Sequence, residues 1–143
     1  MTGLERARAL LEACRKFDGS YDYGGGHGPA LSVLSPHQGL DCSSSVSLAL
    51  WERGLMGDPR TKGQKRNEKV AQVSGWFEEY GRAGPGMYVT VHANAEHVWL
   101  EFTLPDGWFR FDTSPHGDGG RGPRVRTGKR PTSNFVVRHP PGL

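Results

Sequence analysis

An α+β domain with an antiparallel sheet is what this sequence predicts, and three observations lead there. Apolar residues recur at three- and four-residue steps in the first part of the chain. From Met87 onward they alternate instead, in short runs bounded by Gly, Pro, Asn and Asp. Glycine and proline supply 21 and 10 of the 143 residues, a loop-rich composition that suits a mixed globular fold better than a helical bundle. Helices first and strands afterwards is the order of an α+β fold, and 143 residues make one domain, 1–143, with room for a real core.

The first element is a helix over about residues 3–17, because Leu4, Ala7, Leu11, Cys14 and Phe17 fall along one face. Cys14 lies on that buried stripe, where a thiol behaves as a small hydrophobe. Residues 18–38, rich in Gly, Tyr, His, Pro and Ser, form a long irregular segment of the kind that shapes a site. A second, amphipathic helix begins at Asp41, whose carboxylate caps the first turn, and runs to about Arg53, where Gly54 stops it. Cys42 then occupies the first helical position. Residues 55–66 read as a polar loop, and Val70 to Tyr80 carries a weaker helical pattern that GRAGPG ends.

Four strands follow: MYVTVHA (87–93), HVWLEF (97–102), WFRFD (108–112) and NFVVRH (134–139), the middle two joined across LPDG in a hairpin. Alternation puts Val98, Leu100 and Phe102 on one face of HVWLEF and His97, Trp99 and Glu101 on the other. Matching these to Phe109 and Phe111 sets Glu101 near Arg110 and brings Asp112 to the face of His97, opposite or diagonal to Trp99. Pro105-Asp106-Gly107 also suits a three-residue loop with a Gly bulge, which would turn Asp112 to the wrong face. The apolar match decides, because the other register exposes two phenylalanines. Residues 117–133 are too polar and Gly-rich for a regular element and read as a mobile excursion between the last two strands.

Composition excludes several functions. The net charge is +3 with a pI near 9.1, and the basic residues are spread over 60–69 and 121–130 instead of forming one stripe, so no nucleic-acid partner is expected. Two cysteines without closely spaced Cys or His partners make neither a disulfide framework nor a structural zinc site, and no HExxH is present, so no metal or cofactor is expected. No stretch approaches the length of a membrane span, and MTGLERARALLEACRKF is charged throughout with no apolar signal-like core.

One pattern points to chemistry. A cysteine at a helix start faces unsatisfied N–H groups and a partial positive charge, both of which favour thiolate. Cys42 has that setting. Nucleophilic cysteine catalysis further needs a base and a group that orients the base. Of six histidines, His97 alone opens a strongly patterned strand, and the hairpin register offers Asp112 as its partner, with Glu101 and His116 as substitutes.

YDYGGG (21–26), DCSS (41–44) and HVWLEF (97–102) together resemble, in order and spacing, the signatures of the NlpC-type cell-wall peptidases, which are papain-like cysteine enzymes. The likeness spans roughly residues 18–112, and RHPPGL is similar to the closing stretch of actinobacterial and actinophage members. It implies a papain-like fold with helices packed on the sheet, Cys42 as nucleophile, His97 as general base and Asp112 as the orienting group. Tyr21 would supply a hydroxyl for substrate or oxyanion, with Asp41 and Ser43 beside the nucleophile on that same side. The implied activity is hydrolysis of an amide in the peptidoglycan stem peptide, at the bond after a γ-linked D-glutamate by the family's habit. A wall-acting protein of this kind is expected to be phage-delivered, excised from a longer chain or exported by its own route, as a monomer or as part of a larger phage or wall-targeting chain. Ser44 stands where the family carries Gly, which bears on the oxyanion geometry. Two other readings keep the residues: a papain-like amidase, acyltransferase or toxin acting on another amide, and a non-catalytic wall-binding module.

Overall fold

The computed structural model describes residues 1–56, 70–114 and 120–143. Two α-helices, α1 (Gly3–Arg15) and α2 (Cys42–Glu52), and two short 3₁₀ helices (Leu31–Val33 and Ser74–Glu79) precede or flank a sheet. The strands are β1 (Arg82–Ala83), β2 (Val89–Ala93), β3 (Val98–Leu104), β4 (Gly107–Asp112), β5 (Arg124–Arg126) and β6 (Val136–His139). Among the described residues they form one antiparallel sheet in the order β1-β6-β2-β3-β4-β5. The fold is therefore α+β. No helix among these residues is long and apolar enough to cross a membrane.

The helix starts follow from capping. Thr2 and Glu5 close a reciprocal capping box on α1, whose Ala7, Leu10, Leu11 and Cys14 are buried. This helix ends at Arg15, two residues before the expected end, and Phe17 enters the core just beyond it, edge-to-face on Phe111 of β4 at 4.9 Å. In α2, Asp41 caps the Ser44 N–H while Ser44 Oγ receives the Asp41 N–H. Gly54, at φ +69°, stops it: Gly54 N–H reaches Trp51 O and Leu55 N–H reaches Leu50 O, the paired bonds of a Schellman ending.

The amphipathic expectation for α2 does not hold. Every residue from Cys42 to Leu50 is buried, because this helix lies between α1 and β3 rather than on the surface. Its serines tolerate burial by finding partners: Ser45 Oγ donates to Cys42 O, and Ser47 Oγ accepts from Gln72 N–H.

The hairpin takes the apolar register. Leu100 pairs with Phe111, Glu101 with Arg110 and Phe102 with Phe109, and Leu104 meets Gly107 across a two-residue turn, so the Gly bulge does not form. Val98, Leu100 and Phe102 are fully buried, as expected, but so is Trp99 on the opposite face. His92 stacks on Trp99 at 4.1 Å, and the guanidinium of Arg130 and the ring of Phe135 cover it.

Two further expectations are corrected. Val70–Tyr80 forms no α-helix, only the 3₁₀ helix over Ser74–Glu79. The segment 117–133 contains a strand, β5, paired to β4 through Arg110, Phe111 and Asp112. This pairing is held by buried arginine rather than apolar alternation: Arg126 is buried and donates to the carbonyl oxygens of Asp112, Gly120 and Gly122. The two-residue β1 was not expected at all. The loop at 55–66 beyond Met56, the basic run over 60–69, and His116 lie outside the described residues.

Candidate functional site

Cys42 is the first residue of α2, and its side chain is directed at two polar neighbours. Its Sγ lies 3.4 Å from Ser74 Oγ, and the imidazole of His97 stands close enough to lower its pKa. Burial alone would raise the thiol pKa; the bonds to His97 and Ser74, the imidazolium charge and the Val98 N–H outweigh it, and the pKa falls below the ordinary cysteine value. Cys14 shows the contrast. Fully buried in the core, it is pushed well above that value.

His97 sits in the tight loop immediately before β3. Asn94 holds this loop: its Oδ1 accepts from the N–H groups of Glu96 and His97, and its own N–H reaches His97 O. Nε2 of His97 donates to Asp112 Oδ1 at 2.8 Å, which leaves Nδ1 as the nitrogen available to the sulfur. Burial would lower the imidazole pKa, but Asp112 and Cys42 raise it to about 9. Both shifts favour the thiolate–imidazolium pair over the neutral one.

Asp112 ends β4 with its side chain fully buried. Arg110 Nη1, Arg130 Nη1 (2.9 Å) and the Ser114 N–H (3.0 Å) share its carboxylate with His97. Burial would raise its pKa, but the bonds and charges of His97 and Arg130 overcome that penalty and hold the carboxyl well below the usual carboxylate range. Asp112 therefore stays charged and fixes both ring and tautomer. Glu101, the first substitute, is engaged elsewhere by His92 (3.1 Å) and the Trp108 indole N–H (2.7 Å).

The irregular segment wraps around the other side of Cys42. Tyr21 bridges to Leu40, and Gly24, at φ +79°, donates its N–H to Asp41 Oδ2 at 3.1 Å. Asp41 Oδ1 takes Ser44 N–H, Ser43 Oγ and His27 Nε2. Against the pull of burial, His27 and Ser44 hold this carboxyl at about 2, and the His27 pKa is raised, above all by the bond to Asp41. With its oxygens so occupied, Asp41 braces the helix start and the glycine loop. Tyr21 has its pKa raised by burial and by the charges of Cys42 and Asp41, so it keeps its proton and can donate.

The side chain of Ser44 is accommodated by a glycine elsewhere. Gly26 stands at φ +80°, and a Cβ there would fall 2.8 Å from Ser44 Cβ and 2.6 Å from a Leu40 methyl. The third glycine of YDYGGG thus makes room for the serine that completes the capping box. Ser44 and Ser45 donate their N–H groups to Asp41, whereas those of Cys42 and Ser43, at the open end of the helix, have no carbonyl four residues back inside it.

A cavity of about 580 Å³ opens over these groups, lined by Tyr21, His27, Asp41, Cys42, Ser43 and Ser74 among others. The six first-choice residues of the sequence analysis thus lie at one place: Asp112 bonded to His97 beside Cys42, and Tyr21, Asp41 and Ser43 around the cavity. Two functional neighbours escaped the sequence reading. His27 could have been found as the residue directly after YDYGGG, but Ser74, 32 positions from Cys42, has no local signal. Comparison of the chain with protein-family models, with curated proteins and with solved structures returns no match.

Proposed function

We propose that this protein is a papain-like cysteine peptidase of the NlpC type that hydrolyses an amide bond in the stem peptide of peptidoglycan. The observation that carries the reading is a low-pKa thiol at a helix start, beside a histidine that is held by a buried carboxylate. The substrate class is carried by the three sequence segments, which converge on this thiol.

Cys42 Sγ attacks the scissile carbonyl as thiolate, and the carbonyl oxygen takes the negative charge beside the N–H groups of Cys42 and Ser43. The imidazolium of His97 gives its proton to the departing amine, which leaves the acyl group on sulfur. Water then attacks the thioester; His97 takes its proton, and the acid departs as the sulfur leaves as thiolate beside the imidazolium. Asp112 keeps Nε2 protonated throughout. Ser74 Oγ donates to the thiolate and steadies it before attack.

Digestion of purified sacculi and of defined muropeptides, read by mass spectrometry, tests activity and bond together. New free carboxyl and amino ends are expected. A product carrying an amine in place of water would make the protein an acyltransferase, and intact muropeptides would make it a binding module.

The pKa shifts also set a pH window. Cleavage should rise with pH as Cys42 ionises below the ordinary cysteine value and fall again as His97 loses its proton near pH 9. Iodoacetamide offers a direct reading, because Cys14 is fully buried and Cys42 is then the thiol that reacts. Alkylation of Cys42 at pH 7 should run about tenfold or more faster than that of a free thiol of pKa near 8.5. A rate equal to that of the free thiol would refute the ion pair.

A further inference from the structure

A second cavity, of about 250 Å³, lies on the far side of Tyr21, lined by Tyr21, His97, Thr113, Ser114, Arg121 and Arg130. It contains His97 and not Cys42; the larger cavity contains Cys42 and not His97. That division has a chemical meaning if the proposed reaction holds. The acyl part of the substrate ends on sulfur, and the amine part must pass over the imidazole that protonates it. The larger cavity therefore receives the acyl part and the smaller one the amine part.

The two cavities differ in charge. Asp41 and Glu96 line the larger one, whereas the described lining of the smaller one carries two guanidinium groups and an imidazole with no carboxylate. Arg130 is fixed there. Its Nη1 donates to Asp112 Oδ2 at 2.9 Å, its guanidinium carbon lies 5.2 Å from the ring centroids of both Trp99 and Phe135, and its Nε is buried without a partner among the described residues. Arg121 stands at the exposed side of the same cavity.

Resting on the hydrolase reading above, we propose that the smaller cavity is a leaving-group subsite that binds a free carboxylate on the amine fragment, between Arg121 and Arg130. Guanidinium groups match carboxylate geometry with two parallel donors, and neighbouring aromatic faces keep the donors oriented. The protein would then select stem peptides in which the residue after the scissile bond carries an unmodified carboxylate. The source of the carboxylate is either the α-carboxyl of that residue or a second, side-chain carboxyl.

The test uses three synthetic tripeptides with the wild-type protein and an Arg121→Gln variant: L-alanyl-γ-D-glutamyl-L-lysine, its C-terminal carboxamide, and the diaminopimelate analogue amidated only at the α-carboxyl. Arg121 is varied because Arg130 also holds Asp112. For wild type, kcat/KM for at least one carboxylate-bearing tripeptide should exceed that for the lysine amide by about tenfold or more, the worth of a charge-assisted hydrogen bond. In Arg121→Gln that ratio should fall toward one, through KM. A preference for the lysine acid over its amide would assign the site to the α-carboxyl, and a preference for the diaminopimelate analogue alone would assign it to the side-chain carboxyl. Equal cleavage of all three tripeptides by wild type, or a preference that survives in Arg121→Gln, would overturn the subsite while leaving the hydrolase reading intact. Tripeptides and sacculi both left uncut would overturn the hydrolase reading, and this one with it.

Discussion

Cys42→Ala is expected to reduce release of stem-peptide fragments from sacculi by about 10⁴-fold or more, because loss of a nucleophile removes the covalent route altogether. The fold should survive. The side chain sits at the edge of the cavity, its sulfur contacts Ser74 and His97 rather than filling the centre of the core, and Asp41 still caps α2 through Ser44. The thermal midpoint should therefore stay within a few degrees of wild type, a stability change of about 1 kcal/mol. Cys42→Ser should be nearly as inactive, since a hydroxyl does not ionise against an imidazole of pKa about 9. Cys14→Ala gives the opposite pattern: fragment release persists, while the emptied core position lowers stability. Undiminished cleavage by Cys42→Ala, measured on the same sacculi, would remove the thiol from the chemistry.

How far the sequence could reach depends on which interactions are local. The start of α2 is written in four consecutive residues, since Asp41 caps, Cys42 opens the helix and Ser44 returns the cap bond. The position of Asp112 beside His97 needed one tertiary decision, the hairpin register. Apolar matching supplied it because Phe109 and Phe111 have partners in only one of the two alignments. Elsewhere no such periodic signal exists. Ser74 meets Cys42 through the packing of a 3₁₀ helix against α2, and nothing in VSGWFEEY announces it. The strand β5 has no alternation to read, because Arg124 and Arg126 hold it by donating to carbonyl oxygens of Gly19 and Asp112. Likewise, the outward face of HVWLEF looked open only because Arg130 and Phe135, more than thirty residues away, cover Trp99. Polar contacts across long sequence distances were the part that composition and periodicity could not carry.

Asp112→Ala is expected to damage both folding and catalysis. The carboxylate is fully buried together with Arg110, whose guanidinium is also fully buried and would lose its ion pair with Asp112. Breaking a buried pair from one side costs about 3–5 kcal/mol, a large part of the 5–15 kcal/mol typical of a domain. Asp112→Asn separates the two effects, since it keeps the volume and one oxygen for hydrogen bonding but removes the charge that steadies imidazolium. We expect it to fold, with fragment release lowered by about 10²- to 10⁴-fold. The pH dependence of the thermal midpoint supplies a second reading. In wild type the folded-state pKa of Asp112 is depressed, so its contribution is complete above the unfolded value of about 3.9 and is lost as pH falls through the lower folded value. His97 is raised to about 9, so its contribution is complete below the unfolded value of about 6.5 and is lost as pH rises toward 9. The midpoint should therefore decline on both sides of a plateau between roughly pH 4 and 6.5. Asp112→Asn should flatten the alkaline decline, because His97 keeps only the Cys42 thiolate to raise it. A variant that retains the full alkaline slope would mean that Asp112 does not hold the imidazolium, and the orienting role assigned to it would fall.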